Sequence, residues 1–346
     1  MQKRLAFVVN RAIHVMVYHF AGVRTMTRTT CMTALLVCTG LGLMSSASVK
    51  GAEPLNVVVT IKPVHSLAAS VMEGAGAPHL LIKGAASAHS YALRPSDARV
   101  LNNADIIVRV SEWLESYLDK PIASLSGKAK VVTLSEVTGI KLLPPRESGA
   151  FDAHSHGPVH EDHAVAVDAK AAPGMAEHDP HLWLSPTNAA IIVDRLAAVL
   201  AQARPEQAQL FMDNAARLKV KLAALDAKLR TAVAPLKGKD FIVFHDAYQY
   251  FEHLYGIEAA GSITLSPERQ PGAARLKQIR ARIAASKRPC VFSEPQFEPK
   301  LVATVIEGTD ARTGVLDPQG VDMPEGPEQY FQLLDNLASS LGKCLG

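Results

Sequence analysis

The sequence predicts an α/β protein of two parallel-sheet lobes joined by one long rigid helix. Three observations carry that expectation. Strand-like apolar runs alternate with helical stretches, the alternation recurs in the second half of the 346-residue chain, and a Pro- and Gly-free amphipathic stretch lies between the halves.

In the first half the strand-like runs are Leu55–Thr60, His79–Lys83, Asp105–Val110 and Lys130–Leu134. They are separated by helical stretches at Ser66–Glu73, Pro95–Asn103 and Trp113–Leu125, and such alternation argues for a parallel sheet flanked by helices. The second half repeats the pattern with Asp240–Phe244, Gly256–Ala260, Pro289–Ser293 and Arg312–Leu316, around helices near Ala247–Tyr255, Ala273–Lys287 and Lys300–Glu307. Between them, Pro205–Ala234 places Leu210, Ala215, Leu218, Leu222, Leu225 and Leu229 at helical spacing. One continuous helix there spans on the order of 40 Å at about 1.5 Å per residue, enough for a strut between lobes. The resulting division is a leader over 1–52, a first lobe over 53–204, a linking helix over 205–235 and a second lobe over 236–346. Within the first lobe, 144–178 lacks periodicity and is rich in Pro, Gly, Ala and charge, so it reads as a surface loop.

Every charge before Glu53 is positive: Lys3, Arg4, Arg11, Arg24, Arg28 and Lys50. The formal net charge of the whole chain is +3, so the remainder is acidic on balance and offers no basic run for a nucleic-acid partner. From Met26, a basic start, the apolar run Met32–Met44 and the small residues Ser45–Ala47 follow the order of a secretory signal peptide, and the run is too short to span a bilayer. The alternative is a signal-anchor helix. Secretion would remove Cys31 and Cys38 with the leader and leave Cys290 and Cys344, which an oxidising compartment favours joining as one disulfide rather than leaving as two buried thiols.

The chain carries 13 histidines, and three isolated ones stand at chemically telling places. His89 lies in SAHSYALRPSD, after a strand and before a helix opened by Pro95, Ser96 and Asp97. His181 lies in HDPHLWLSP, before a helix opened by Ser185 and Pro186, and His245 follows the apolar strand Phe241–Phe244. Parallel sheets bind ligands beyond the carboxyl ends of their strands, so imidazoles from both lobes could meet there around one borderline-soft cation. Spacing alone favours a hydrogen-bonding or capping role for each of them over a metal ligand. A second group, His154, His156, His160 and His163, sits in the loop beside Asp152, Glu161 and Asp162, as a weak accessory metal-binding set or simply a solvated charged segment.

SAHSYALRPSD, HDPHLWLSP, FHDAYQYF, CVFSEPQF and GVLDPQG resemble, in order and approximate spacing, the motifs of the zinc-specific, ZnuA-type solute-binding proteins of bacterial ABC importers. The resemblance covers nearly all of the chain after the leader. It implies two α/β lobes on a rigid helix, Zn2+ held in the interlobe cleft, a disulfide in the second lobe and a histidine-rich loop. It also implies an ABC permease and its ATPase as partners, with the binding protein a monomer and not an enzyme. Carried over by position, the metal-binding histidines match His89, His181 and His245. The fourth position goes to Asp317 or to water, with Asp317 favoured, because Ala88 stands where some relatives have a glutamate ligand. Manganese-binding relatives have a carboxylate at the position of His245, and three imidazoles suit zinc better than a harder ion.

The rival reading is a secreted zinc-dependent hydrolase, since three histidines with one open position is also a catalytic arrangement. Its general base would have to be Glu294 or Asp246. Glu294 has a competing expectation, a charge-assisted bond with Arg94 across the cleft. His65, His79 and His253 are expected to be structural, and Trp183 to pack beside His181.

Overall fold

The computed structural model describes residues 54–124, 128–146, 178–267, 270–287 and 289–346. The leader over 1–52 and the loop histidines His154, His156, His160 and His163 lie outside the described residues.

Two four-stranded, all-parallel sheets form the two lobes. The first contains β1 (Val57–Val59), β2 (His79–Leu80), β3 (Ile106–Arg109) and β4 (Lys130–Thr133), in the order β2-β1-β3-β4. The second contains β5 (Phe241–His245), β6 (Gly261–Thr264), β7 (Cys290–Ser293) and β8 (Arg312–Val315), in the equivalent order β6-β5-β7-β8. Each sheet is covered on both faces, so its central strands are mainly apolar rather than alternating, apart from their last residues. Successive side chains still go to opposite sides: Val57 and Val59 join the main core while Val58 packs with Leu101 and Ile107 behind the sheet. In the second lobe Phe241 and Val243 face the main core, and Ile242 and Phe244 pack with Ile279, Ile283 and Val302.

Helices α1 (Lys62–Val71), α2 (Pro95–Asn102), α3 (Asp119–Ser124) and α4 (Pro186–Ala203) belong to the first half, and α6 (Gln249–Tyr255), α7 (Ala273–Ala285) and α8 (Lys300–Ile306) to the second. The strut is α5 (Ala208–Val233), 26 residues or about 39 Å. Pro205 starts a short 3₁₀ turn, Pro205–Gln207, before it, so the α-helix begins three residues later than the expected start at Pro205. Its buried face, Phe211, Ala215, Leu218, Leu222, Leu225, Leu229 and Val233, lies against α4 and the last helix, α9 (Gln329–Leu345). Each of the larger side chains contributes about 1.5–3 kcal/mol by burial. Because α9 also packs on α1, the carboxyl-terminal helix of the second half is part of the first lobe's core.

Two sequence expectations are corrected. The strand expected over Gly256–Ala260 lies at Gly261–Thr264, because Gly256 adopts φ 68° to end α6 and Ile257–Ala260 lead into the strand. The helix expected over Trp113–Leu125 is broken into a 3₁₀ turn, Ser116–Leu118, and the short α3. Its pattern is interrupted by Glu115, which is buried and accepts hydrogen bonds from the Val110 and Ser111 amides and the Thr60 hydroxyl.

Cys290 on β7 and Cys344 on α9 form the expected disulfide, with Cα atoms 6.0 Å apart and a sequence separation of 54. Closing a loop of that size is worth roughly 4 kcal/mol by loop-closure entropy. Reduction is therefore expected to lower the melting temperature substantially while zinc binding by the folded protein persists, since neither sulfur belongs to the histidine site. Thermal melts with and without reductant, each followed by a metal titration, check this.

Candidate metal centre

His89 lies on the irregular segment between β2 and α2, and that segment is held from its far end. Asp97, at the third position of α2, accepts hydrogen bonds from the Arg94 amide and the Tyr91 hydroxyl, each at 2.8 Å. Arg94 is thus an exposed capping position and does not pair with Glu294, contrary to expectation. The His89 amide donates to the Ser87 hydroxyl at 3.2 Å, and the ring stays half-buried at the edge of the site.

His181 begins a 3₁₀ turn, Leu182–Leu184, that leads into α4, whose first free amide, from Asn188, is capped by the Ser185 hydroxyl. One carboxylate oxygen of Asp179 accepts both the His181 amide at 2.9 Å and the His181 Nδ1–H at 2.7 Å. Trp183, fully buried, packs edge-on against the same ring, with centroids 5.2 Å apart and planes inclined at 61°.

His245 is the last residue of β5, and Glu294 directly follows β7. The strand order reverses between these two strands, so they meet at the topological switch point where open parallel sheets bind ligands. The His245 Nδ1–H donates to Glu294 at 2.7 Å, and the Tyr248 hydroxyl donates to the same carboxylate at 3.2 Å.

The three rings converge. His181 Nε2 is 3.2 Å from His89 Nε2 and 3.3 Å from His245 Nε2. Among the described residues these three form the single group of histidine, cysteine and acidic side chains disposed to hold a metal ion. Carboxylates behind Nδ1 of His181 and His245 leave the Nε2 lone pairs directed at one point. Two nitrogens bound tetrahedrally to zinc at about 2.0–2.1 Å are separated by about 3.3–3.4 Å, so the observed spacing fits such an ion. Burial holds the His89 and His181 rings well below the usual histidine range, with the neighbouring imidazoles acting in the same direction. They are therefore neutral, as nitrogen ligands must be.

Asp317 is not brought to the three rings. Its carboxylate accepts from the Gln319, Gly320 and Val321 amides at 2.9, 2.8 and 2.7 Å, and from the Gln296 side chain at 3.3 Å, closing a tight turn after β8. Asp246 pairs with Arg146 at 3.0 Å. His65 donates Nε2–H to the Pro78 carbonyl and His253 lies beside Lys141, both outside the site. Sequence reading assigned no role to Asp179 and gave Glu294 the wrong partner. The available signal for Asp179 was its place two residues before His181 in HDPH; Glu294 lies 49 residues from His245, and nothing local joins them.

Two parallel-sheet lobes on one stiff helix, with a three-imidazole nest between them, define a bilobal metal-binding protein. The family model described as the periplasmic component A of zinc-uptake complexes, ZnuA, matches residues 57–344, and the chain belongs to that family. It is 48% identical over 304 residues to the high-affinity zinc uptake system protein ZnuA of Brucella abortus (strain 2308), covering 84% of this chain and 91% of that protein. Identity to the protein of the same description from Yersinia pestis is 33% over 313 residues, covering 90% and 95%. A crystal structure of ZnuA superposes with a TM-score of 0.70 at 22% identity, covering 85% of this chain and all of that one, a likeness of fold.

Proposed function

We propose that the protein captures zinc in the periplasm with high affinity and delivers it to the permease of an ABC importer, after its leader is removed. The convergence of three Nε2 atoms, two of them on rings backed by carboxylates, carries this reading, and the zinc-uptake relatives support it. Zinc is cargo here. His89, His181 and His245 supply three ligands, and the half-buried His89 gives the edge by which the ion enters and leaves. A hydrolytic role lacks its base, because Glu294 is committed to His245 and Tyr248 and Asp246 to Arg146. His154, His156, His160 and His163 act as a weak accessory set that raises the local zinc concentration.

Water takes the fourth position in this reading, since swinging Asp317 toward the ion would strip three backbone amides of their acceptor. The Asp317→Ala protein is expected to keep tight zinc binding within about 10-fold, against the 100-fold or greater loss expected from a lost ligand. Competition with a zinc-selective chelator measures both. The same titration of the unaltered protein with zinc and then manganese tests the function: one tight zinc site with manganese far weaker is expected, and no tight site would refute it.

A further inference from the structure

Lys62 opens α1 in the first lobe, yet its ammonium group reaches the second. It is buried, and its three protons go to the carbonyl oxygens of Gly320, Val321 and Met323 at 3.1, 2.7 and 2.9 Å. The hydrogen-bonding capacity of an ammonium ion is thereby filled by one short turn. The amides of that turn are held on the other side by Asp317. Gly320 has φ +68°, and a Cβ there would lie 2.3 Å from the Gln329 amide nitrogen and 2.8 Å from the Met323 sulfur, so the turn is built around a residue without one.

One buried side chain links the turn to the metal site. Trp183 donates its indole N–H to the Pro318 carbonyl at 2.8 Å and lays its ring against His181, whose Nε2 lies between those of the other two histidines. The Tyr330 hydroxyl donates to the Trp183 carbonyl at 2.8 Å and fixes the backbone beneath it.

We propose that Lys62 is a positioning residue for zinc retention: by clamping the turn over 317–323 to α1, it holds Trp183, and through it the His181 ring, at the angle the ion requires. The inference rests on the three-histidine reading and adds to it a residue that touches neither the ion nor a ligand. A hydrogen-bonded support of a metal ligand is worth about 10–100-fold in affinity, and support relayed through an indole belongs at the lower end. Loss of the clamp acts on the rate at which the ion leaves, because association needs only the half-buried edge at His89.

The test is the zinc off-rate, read by mixing the zinc-loaded full chain with excess chelator. Lys62→Met, close to lysine in length and without the ammonium group, is expected to release zinc about 10-fold faster than the unaltered protein. Trp183→Phe, which keeps an aromatic ring against His181 but removes the bond to Pro318, is expected to shift the rate in the same direction. It carries the test if Lys62→Met does not fold. Ser66→Ala is the control: the Ser66 hydroxyl donates to Pro327 and accepts from the Tyr330 amide on the same seam, away from the turn, so its loss lowers stability without changing the off-rate. Off-rates within about two-fold of the unaltered protein in folded Lys62→Met and Trp183→Phe would overturn the proposal, as would an equal acceleration in Ser66→Ala. Failure of the unaltered protein to retain zinc would instead refute the site assignment on which the proposal rests.

Discussion

Replacing His181 with alanine is expected to weaken zinc binding by well over about 100-fold, more than any substitution that spares the ligand atoms. Its Nε2 is the nitrogen within 3.3 Å of both others, so its loss leaves two imidazoles and opens the centre of the group. The change also strands a carboxylate. Asp179 is buried and spends one oxygen on the His181 amide and ring, and burial already pushes its carboxyl up to about 7. Asp179→Asn separates the two effects, because an amide oxygen can still accept from Nδ1–H but no longer strengthens the ring as a donor to the metal. A loss of about 10–100-fold is expected there. Chelator competition on both variants provides the check, and circular dichroism establishes that they are folded.

Arg146→Met is expected to produce the largest loss of stability, about 3–5 kcal/mol. The guanidinium bridges Asp246 at 3.0 Å and Glu252 at 2.5 Å, with Glu252 almost fully buried, and without it both carboxylates lie in a low-dielectric setting unpaired. The pH dependence has a definite sign. Burial raises the Glu252 carboxyl from 4.5 to about 7 even with Arg146 present, so between those values the native state holds more protons than the unfolded chain and stability falls as pH rises. Removing Arg146 moves the carboxyl higher still. The deficit of the variant is therefore expected to be small near pH 5 and markedly larger near pH 8. Urea unfolding at the two pH values measures it, and an equal deficit at both would contradict this account of the pair.

The lobes were legible in the sequence because parallel strands buried on both faces leave continuous apolar runs, as at Val57–Val59 and Phe241–Phe244. The strut was legible because seven buried side chains of α5 repeat every three or four residues. Motif resemblance singled out His89, His181 and His245, and spacing would not have done so alone. What stayed hidden depends on contacts between distant segments. Nothing near Lys62 indicates that its ammonium group serves carbonyls some 258–261 residues away, and nothing near Glu294 says that it faces His245 rather than Arg94. The helix expected over Trp113–Leu125 failed for a related reason: the Glu115 carboxylate satisfies amides at the end of β3, a tertiary demand that overrides local propensity.

The central claim is that three imidazoles hold the ion, and X-ray absorption at the zinc edge of the loaded, untagged protein tests it most directly. The account predicts nitrogen or oxygen scatterers at about 2.0–2.1 Å, with the outer-ring signature of three histidines and one further light atom. It also predicts that His89→Ala, His181→Ala and His245→Ala each lose one imidazole from that signature. A sulfur shell, or a spectrum of the unaltered protein with fewer than three imidazoles, would contradict it.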